Sequence, residues 1–186
     1  VMDSLTRFVE GKLLLVVNRA KSKTAPLRQC AFLGFQIGAR GKAVWSAKAL
    51  ARFKQRVKEI TRRNRGHRVQ VVIDELNRYV TGWINYFRIS HAYSDVMELG
   101  EWIRRRVRLY YWKQWKQPRT RRRHLLALGI PRDEVRMASR SRKGYWRMSG
   151  NSIVQRALTN RWLHEQGVPN LRTLWITLHY GPKARV

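Results

Sequence analysis

The sequence predicts a mainly α-helical protein: a segment with a short β-hairpin, then a three-helix bundle, then a small and very basic helical module. Three observations predict it. Apolar stripes at 3–4 spacing recur three times between residues 46 and 117, with short connections between them. The runs that read as strands all fall before Ser46. Pro118 opens a stretch of short elements and breaks that begins Arg119-Thr120-Arg121-Arg122-Arg123. The expected segments are therefore 1–45, 46–117 and 118–186.

Taken in order, Val1, Met2, Leu5, Phe8 and Val9 share one helical face, and Gly11 ends that helix. Leu13 to Val17, bounded by Asn18, reads as a buried strand. Residues 31–37 read as a second strand with Gly34 inside it, where glycine marks a bulge or a close backbone approach. Lys42 to Trp45 follows as a third strand after a Gly38–Gly41 turn. Ser46 is placed to cap a helix whose apolar stripe is Leu50, Phe53, Val57 and Ile60. Lys48, Arg52, Arg56 and Arg63 lie on another face, and Asn64 to Gly66 ends it. Val69, Val72, Ile73, Leu76, Val80, Trp83, Ile84 and Phe87 trace a second helix. Leu99, Ile103, Val107 and Tyr110 are the core side of a third, from about Ser94 to Gln117. Beyond Pro118 come a short helix, a break at Gly129-Ile130-Pro131, another near Lys143-Gly144, and a helix at about 152–166 closed by Gly167 and Pro169.

Of 186 residues, 44% are hydrophobic, enough for a real core, yet the formal charge is +29. The charge is uneven: 6 basic against 2 acidic residues in 1–38, 19 against 6 in 39–117, and 15 against 3 in 118–186. A compact body so charged repels itself, and a polyanion is its natural compensator. The longest aliphatic run, Leu13 to Val17, is far short of the roughly 20 residues a membrane-crossing helix needs, so no membrane partner is expected. The single cysteine, Cys30, excludes an internal disulfide and a four-cysteine zinc site, and it fits a reducing compartment.

The third helix is the most informative local feature. Arg104, Arg108, Trp112 and Trp115 follow at spacings of 4, 4 and 3, about 100° around from the core stripe, with Arg105, Lys113 and Lys116 beside them. Guanidinium groups pair with phosphate bidentately and stack, and indoles stack on unpaired bases. The competing reading makes the tryptophans core and the arginines solvated. Arg119, Arg121, Arg122 and Arg123 are phosphate-contacting candidates, as are Arg140, Arg142 and Lys143 beside Tyr145 and Trp146. Catalytic signals are absent. The aspartates (Asp3, Asp74, Asp95 and Asp133) are scattered, with no pair to hold two metal ions. The histidines have no ligand spacing, and no glycine-rich phosphate loop is present.

Four stretches together resemble the C-terminal part of group II intron-encoded proteins, the bacterial reverse transcriptase/maturase family. Leu13-Leu14-Leu15-Val16-Val17-Asn18-Arg19-Ala20-Lys21-Ser22 resembles a late palm strand and its Asn-x-x-Lys-Thr/Ser continuation. Phe32-Leu33-Gly34-Phe35 resembles the FLGF strand at the palm-to-thumb junction. Leu76-Asn77 with Gly82-Trp83-Ile84-Asn85-Tyr86-Phe87 resembles the maturase-specific, or X, signature. Ser141-Arg142-Lys143-Gly144-Tyr145-Trp146-Arg147, with Ala157-Leu158-Thr159-Asn160, resembles the tail after the thumb in members lacking a nuclease domain.

The resemblance implies that residues 1–45 are the end of a polymerase palm, 46–117 the thumb or X domain, and 118–186 a nucleic-acid-binding tail. It implies folded group II intron RNA as partner, target DNA as a second partner through the tail, and a bacterial cytoplasm as setting. The family is an RNA-directed DNA polymerase using Mg²⁺ at a Tyr-x-Asp-Asp centre that would precede residue 1. This chain carries no such centre, so no cofactor and no catalytic residue are expected of it. Lys21 stands where the family places a lysine near departing pyrophosphate, a remnant general acid at most. Phe32, Leu33, Gly34 and Phe35 resemble the primer grip. The expected function is to stabilise folded intron RNA for splicing. An inactive polymerase fragment and an unrelated basic DNA- or rRNA-binding module are the competing readings.

Overall fold

A computed structural model describes residues 1–38 and 41–181, without the side chain of Arg28. The described chain is mainly helical, with ten α-helices and one three-stranded antiparallel sheet.

The first helix, α1 (Met2–Lys12), forms where the apolar spacing places it, but Leu5 and Phe8 stay more than half exposed and Thr6 is its buried residue. Leu13 to Val17 is not the expected buried strand. Leu13, Leu14, Leu15 and Val16 are exposed, and Leu14 takes a positive φ of 52°. A strand needs a ladder partner for its backbone groups. Here Leu15 N–H turns back to the Val9 carbonyl at 3.2 Å, and Val17 N–H to Glu10 Oε1 at 3.3 Å.

Residues 31–37 are a hairpin, not one bulged strand. β1 (Ala31–Phe32) pairs with β2 (Phe35–Ile37) through Phe32↔Phe35, leaving Leu33 and Gly34 as a two-residue turn. Their φ values of 50° and 83° are both positive, as the turn that matches strand twist requires, and glycine supplies the second at no steric cost. β3 (Ala43–Trp45) pairs antiparallel with β2. Gly38 N–H donates to the Lys42 carbonyl at 2.8 Å; the rest of the expected Gly38–Gly41 turn includes residues outside those described.

The three predicted central helices are α2 (Ala47–Ile60), α3 (Val69–Tyr86) and α4 (Tyr93–Gln114). Ser46 caps α2, its Oγ accepting from Ala49 N–H at 3.2 Å. Phe53, Val57 and Ile60 of α2 meet Val72, Ile73, Leu76, Val80 and Ile84 of α3 and Val96, Leu99, Ile103, Val107 and Tyr110 of α4 in one core. The apolar periodicity thus becomes packing, as a stripe facing a common interior must.

Two sequence motifs explain each other in space. Phe35 packs on Tyr86 and Phe87, with ring centroids 5.9 and 4.9 Å apart, and Tyr86 donates its hydroxyl to the Leu33 carbonyl at 3.0 Å. Trp83 and Phe87 continue into an aromatic cluster with Trp45 and Phe53. The Gly82–Phe87 signature therefore clamps the hairpin to the end of α3.

Beyond Pro118, which starts α5 (Pro118–Ala127) in its first turn, come α6 (Arg132–Ser139), α7 (Tyr145–Ser149), α8 (Ser152–Ala157), α9 (Asn160–Glu165) and α10 (Leu171–Tyr180). The expected single helix at 152–166 is two. Thr159 caps α9, its Oγ1 accepting from Trp162 N–H at 3.1 Å, and this extended residue ends α8 at Ala157. α7 lies against α4, and α10 lies against both α3 and α4. Leu125, Met148, Leu158, Leu163 and Trp175 belong to the same buried cluster as Val57 and Ile103, so the core runs across Pro118 without a break. Among the described residues no helix is long and apolar enough to cross a membrane.

Candidate nucleic-acid interface

The basic residues fall into two groups, and helix ends explain the division. The last carbonyls of an α-helix lack intrahelical donors, and a cation there also meets the negative end of the helix dipole. Several arginines are used this way. At the end of α2, Arg65 Nη1 donates to the Ile60 carbonyl at 2.8 Å, and Arg106 donates to Thr61 Oγ1 and to the Lys58 carbonyl at 3.3 Å. At the end of α4, Arg121 Nε donates to the Trp115 carbonyl at 2.9 Å, its guanidinium 4.7 Å from the Trp112 ring centroid. At the end of α8, Arg108 Nε donates to the Leu158 carbonyl at 2.8 Å, and Nη2 to Asn160 Oδ1 at 2.8 Å.

These placements decide between the two readings of α4. Trp112 is wholly buried, and Trp115 and Arg108 are 6% and 7% exposed: α7 packs against α4, Arg121 and His124 of α5 lie on the Trp112 and Trp115 rings, and Arg108 reaches the Leu158 carbonyl. The expected Arg–Trp stripe is therefore not a stacking surface for bases. Burial lowers the Arg108 guanidinium to about 10, with the charge of Arg104 adding to the effect. Burial also lowers Arg104, against the opposing field of Glu101, and Arg106. In Arg121 burial lowers the value and Tyr145 opposes it.

The second group faces solvent. Arg119, Arg122 and Arg123 are exposed on α5, and Arg140, Arg142 and Lys143 are exposed on the turn before α7, with Arg147 following. Lys116 is exposed and Lys113 half-buried. Tyr145, half-buried, gathers three cations from distant parts of the chain. Arg63 and Lys113 lie 5.4 Å, and Arg121 6.0 Å, from its ring centroid. The next residue, Trp146, is 41% exposed and lies under Arg105, whose guanidinium is 4.1 Å from the ring centroid. The start of α7 thus ties α4, α5 and the turn after α2 into one basic ridge. Arg63 belongs to this ridge, although its sequence position marks it only as a solvated face of α2.

The remaining expected site residues lie at the other end of the chain. Phe32 and Leu33 are 78% and 65% exposed, while Gly34 and Phe35 are half-buried against α3. Lys21 is exposed in a turn that Asn18 closes by accepting from Lys21 N–H at 3.1 Å. Several carboxylates are engaged in structural contacts. Asp95 Oδ2 accepts from the Trp45 indole at 2.8 Å, Glu75 pairs with Arg56 and Arg65, and Glu134 pairs with Arg156. Among the described residues no group of three or more His, Cys, Asp or Glu side chains could hold a metal ion.

Residues 50–129 match the family profile described as group II intron, maturase-specific domain. That segment is similar to a maturase-specific domain. It takes in most of α2, all of α3 and α4, and the basic helix α5. The chain is consistent with the C-terminal part of an intron-encoded maturase or reverse transcriptase. No curated protein matches the chain. Within the matched segment lie the capping arginines Arg65, Arg106, Arg108 and Arg121, and also the exposed Arg119, Arg122 and Arg123.

Proposed function

We propose that the chain binds folded group II intron RNA through the ridge formed by α5, the 140–143 turn and α7, and so stabilises the RNA for splicing. The observation that carries this reading is a ridge of exposed cations, continuous with a maturase-specific domain, on a body of charge +29. Phosphate contacts from such side chains give affinity without base readout. Shape and the wide minor groove are what a folded RNA offers to them.

The wider setting proposed is a bacterial cytoplasm, with target DNA as a second partner through the residues beyond Pro118. The exposed Phe32 and Leu33 at the tip of the hairpin are proposed as a further contact with duplex, following the primer-grip resemblance. Lys21, without paired aspartates in this chain, has no reaction to serve here.

The test is filter binding of the full chain to group II intron RNA and to duplex DNA of equal length across a salt series. Affinity for intron RNA should fall steeply with salt and exceed that for DNA at every concentration. Changing Arg119, Arg122 and Arg123 together to Gln should reduce the salt slope by about 2–3, roughly one for each phosphate left without its cation. The exposed positions should leave the melting temperature unchanged. Equal affinity for DNA and intron RNA would overturn the reading.

A further inference from the structure

Between α4 and the α7–α9 segment lies an open polar cleft of about 370 Å³, lined by Glu101, Arg104, Arg105, Arg108, Ser149, Gln155 and Asn160. Three guanidiniums and one carboxylate face it, so its formal charge is +2. None of the three arginines forms a salt bridge among the described residues.

We propose that this cleft is a phosphate-binding pocket that takes a single phosphate of the RNA backbone, gripped by Arg104 and Arg105. The proposal rests on the RNA-binding reading above and deepens it: it names one built site apart from the exposed ridge.

The donors are held ready. Arg105 is wedged between the Trp146 ring, 4.1 Å from its guanidinium, and the backbone of Gly150, where an added Cβ would stand 3.1 Å from Nη2. Its Nη2 reaches the Trp146 carbonyl only at 3.4 Å, and its Nε is buried without a partner. A planar fork immobilised in this way loses little entropy on meeting an anion. Arg104 makes no hydrogen bond among the described residues, and its Nη1 would lie 3.2 Å from a Cβ at Gly100. Glycine at both positions leaves room for a guanidinium head.

Arg108 acts differently. Both of its bonded nitrogens are engaged, but by donating to Asn160 Oδ1 it turns the Asn160 amide nitrogen away from itself, which leaves a neutral donor for the cleft. Like charges four residues apart on a helix repel. Arg104 and Arg108 stand so, with no carboxylate bonded to either, and a bound phosphate relieves that repulsion.

The experiment follows the arginine Nε–H resonances of the full chain by NMR, first with inorganic phosphate and then with group II intron RNA. Phosphate should shift Arg104 and Arg105 saturably while Arg119 and Arg123 follow only ionic strength. Stoichiometric RNA should shift the same two resonances. Arg104→Gln and Arg105→Gln, checked for retained helicity, should each weaken RNA binding about tenfold. Gly150→Ala, which changes no charge, should weaken the Arg105 response. RNA that binds without moving these two resonances would overturn the pocket and leave the RNA-binding reading standing. A phosphate response with no binding of intron RNA would overturn both, assigning the cleft to a free anion.

Discussion

Arg108→Met separates the arginines that hold the fold from those that face a ligand. Arg108 is 7% exposed and spends two nitrogens, at 2.8 Å each, on the Leu158 carbonyl and Asn160 Oδ1. Burial, then the neighbouring Arg104 charge, lowers its guanidinium to about 10, well below its ordinary value. At about 1.4 kcal/mol per pH unit, keeping the charge there costs on the order of 3 kcal/mol. The sign follows from the lowered value: the cost is fully present below about pH 10 and fades as pH rises through it, where the folded guanidinium gives up its proton. Two charge-assisted hydrogen bonds, about 1.5–3 kcal/mol each, offset it. Methionine fills the space of the stem and removes both the cost and the bonds. What remains is a buried Leu158 carbonyl without a donor, a penalty of about 1–3 kcal/mol. For a chain of this size that lowers the melting temperature by about 5 °C. Thermal melts by circular dichroism at neutral pH measure it. An unchanged melting temperature with RNA affinity reduced tenfold would refute the reasoning, since the arginine would then serve the ligand and not the end of α8.

Three further outcomes are expected. Gly34→Ala should destabilise by about 1–2 kcal/mol, because φ is 83° and a Cβ would stand 3.0 Å from the Phe87 ring; urea unfolding reads it, and an unchanged midpoint would remove the close approach as an explanation of this glycine. His124 stacks on Trp115, and burial and then Arg123 lower its pKa. The folded imidazole thus resists protonation, so stability is full above about pH 6.5 and falls as pH drops below it. His124→Gln should flatten that part of the profile of melting temperature against pH, and an equally steep profile would assign the loss elsewhere. Hydrogen exchange should be fastest across residues 1–33, where Leu5, Phe8, Leu14 and Val16 are exposed. Protection of α1 equal to that of α3 would contradict this.

Much of the fold was legible in local pattern. The eight apolar positions from Val69 to Phe87 allow one geometry, since only a helix puts them on one side, and Ser46 announces the start of α2. The hairpin at 31–37 was harder. Ala31-Phe32-Leu33-Gly34-Phe35 reads equally well as one strand with a glycine or two strands around a turn, and the choice rests on Tyr86 and Phe87, which grip the turn from α3. The pair α8 and α9 was missed for a related reason. Thr159 is a good cap, but a cap inside an apolar pattern ends a helix only if the carbonyls it frees are satisfied, and Arg108, fifty residues earlier, supplies that donor.

The candidate site divides along the same line. By itself the sequence determined that the protein is basic, mainly helical and poor in paired carboxylates, because charge and periodicity are properties of the chain wherever it goes. It also placed Arg119, Arg122, Arg123, Arg140, Arg142 and Lys143 among the candidates that the fold leaves exposed. Only the tertiary structure decided that Arg108 and Arg121 close the ends of other helices, that Trp112 is core, and that Arg63 joins Lys113 and Arg121 around Tyr145. An arginine has the same charge in either place. What distinguishes them is whether an unpaired carbonyl waits within reach, and that depends on where a different helix happens to stop.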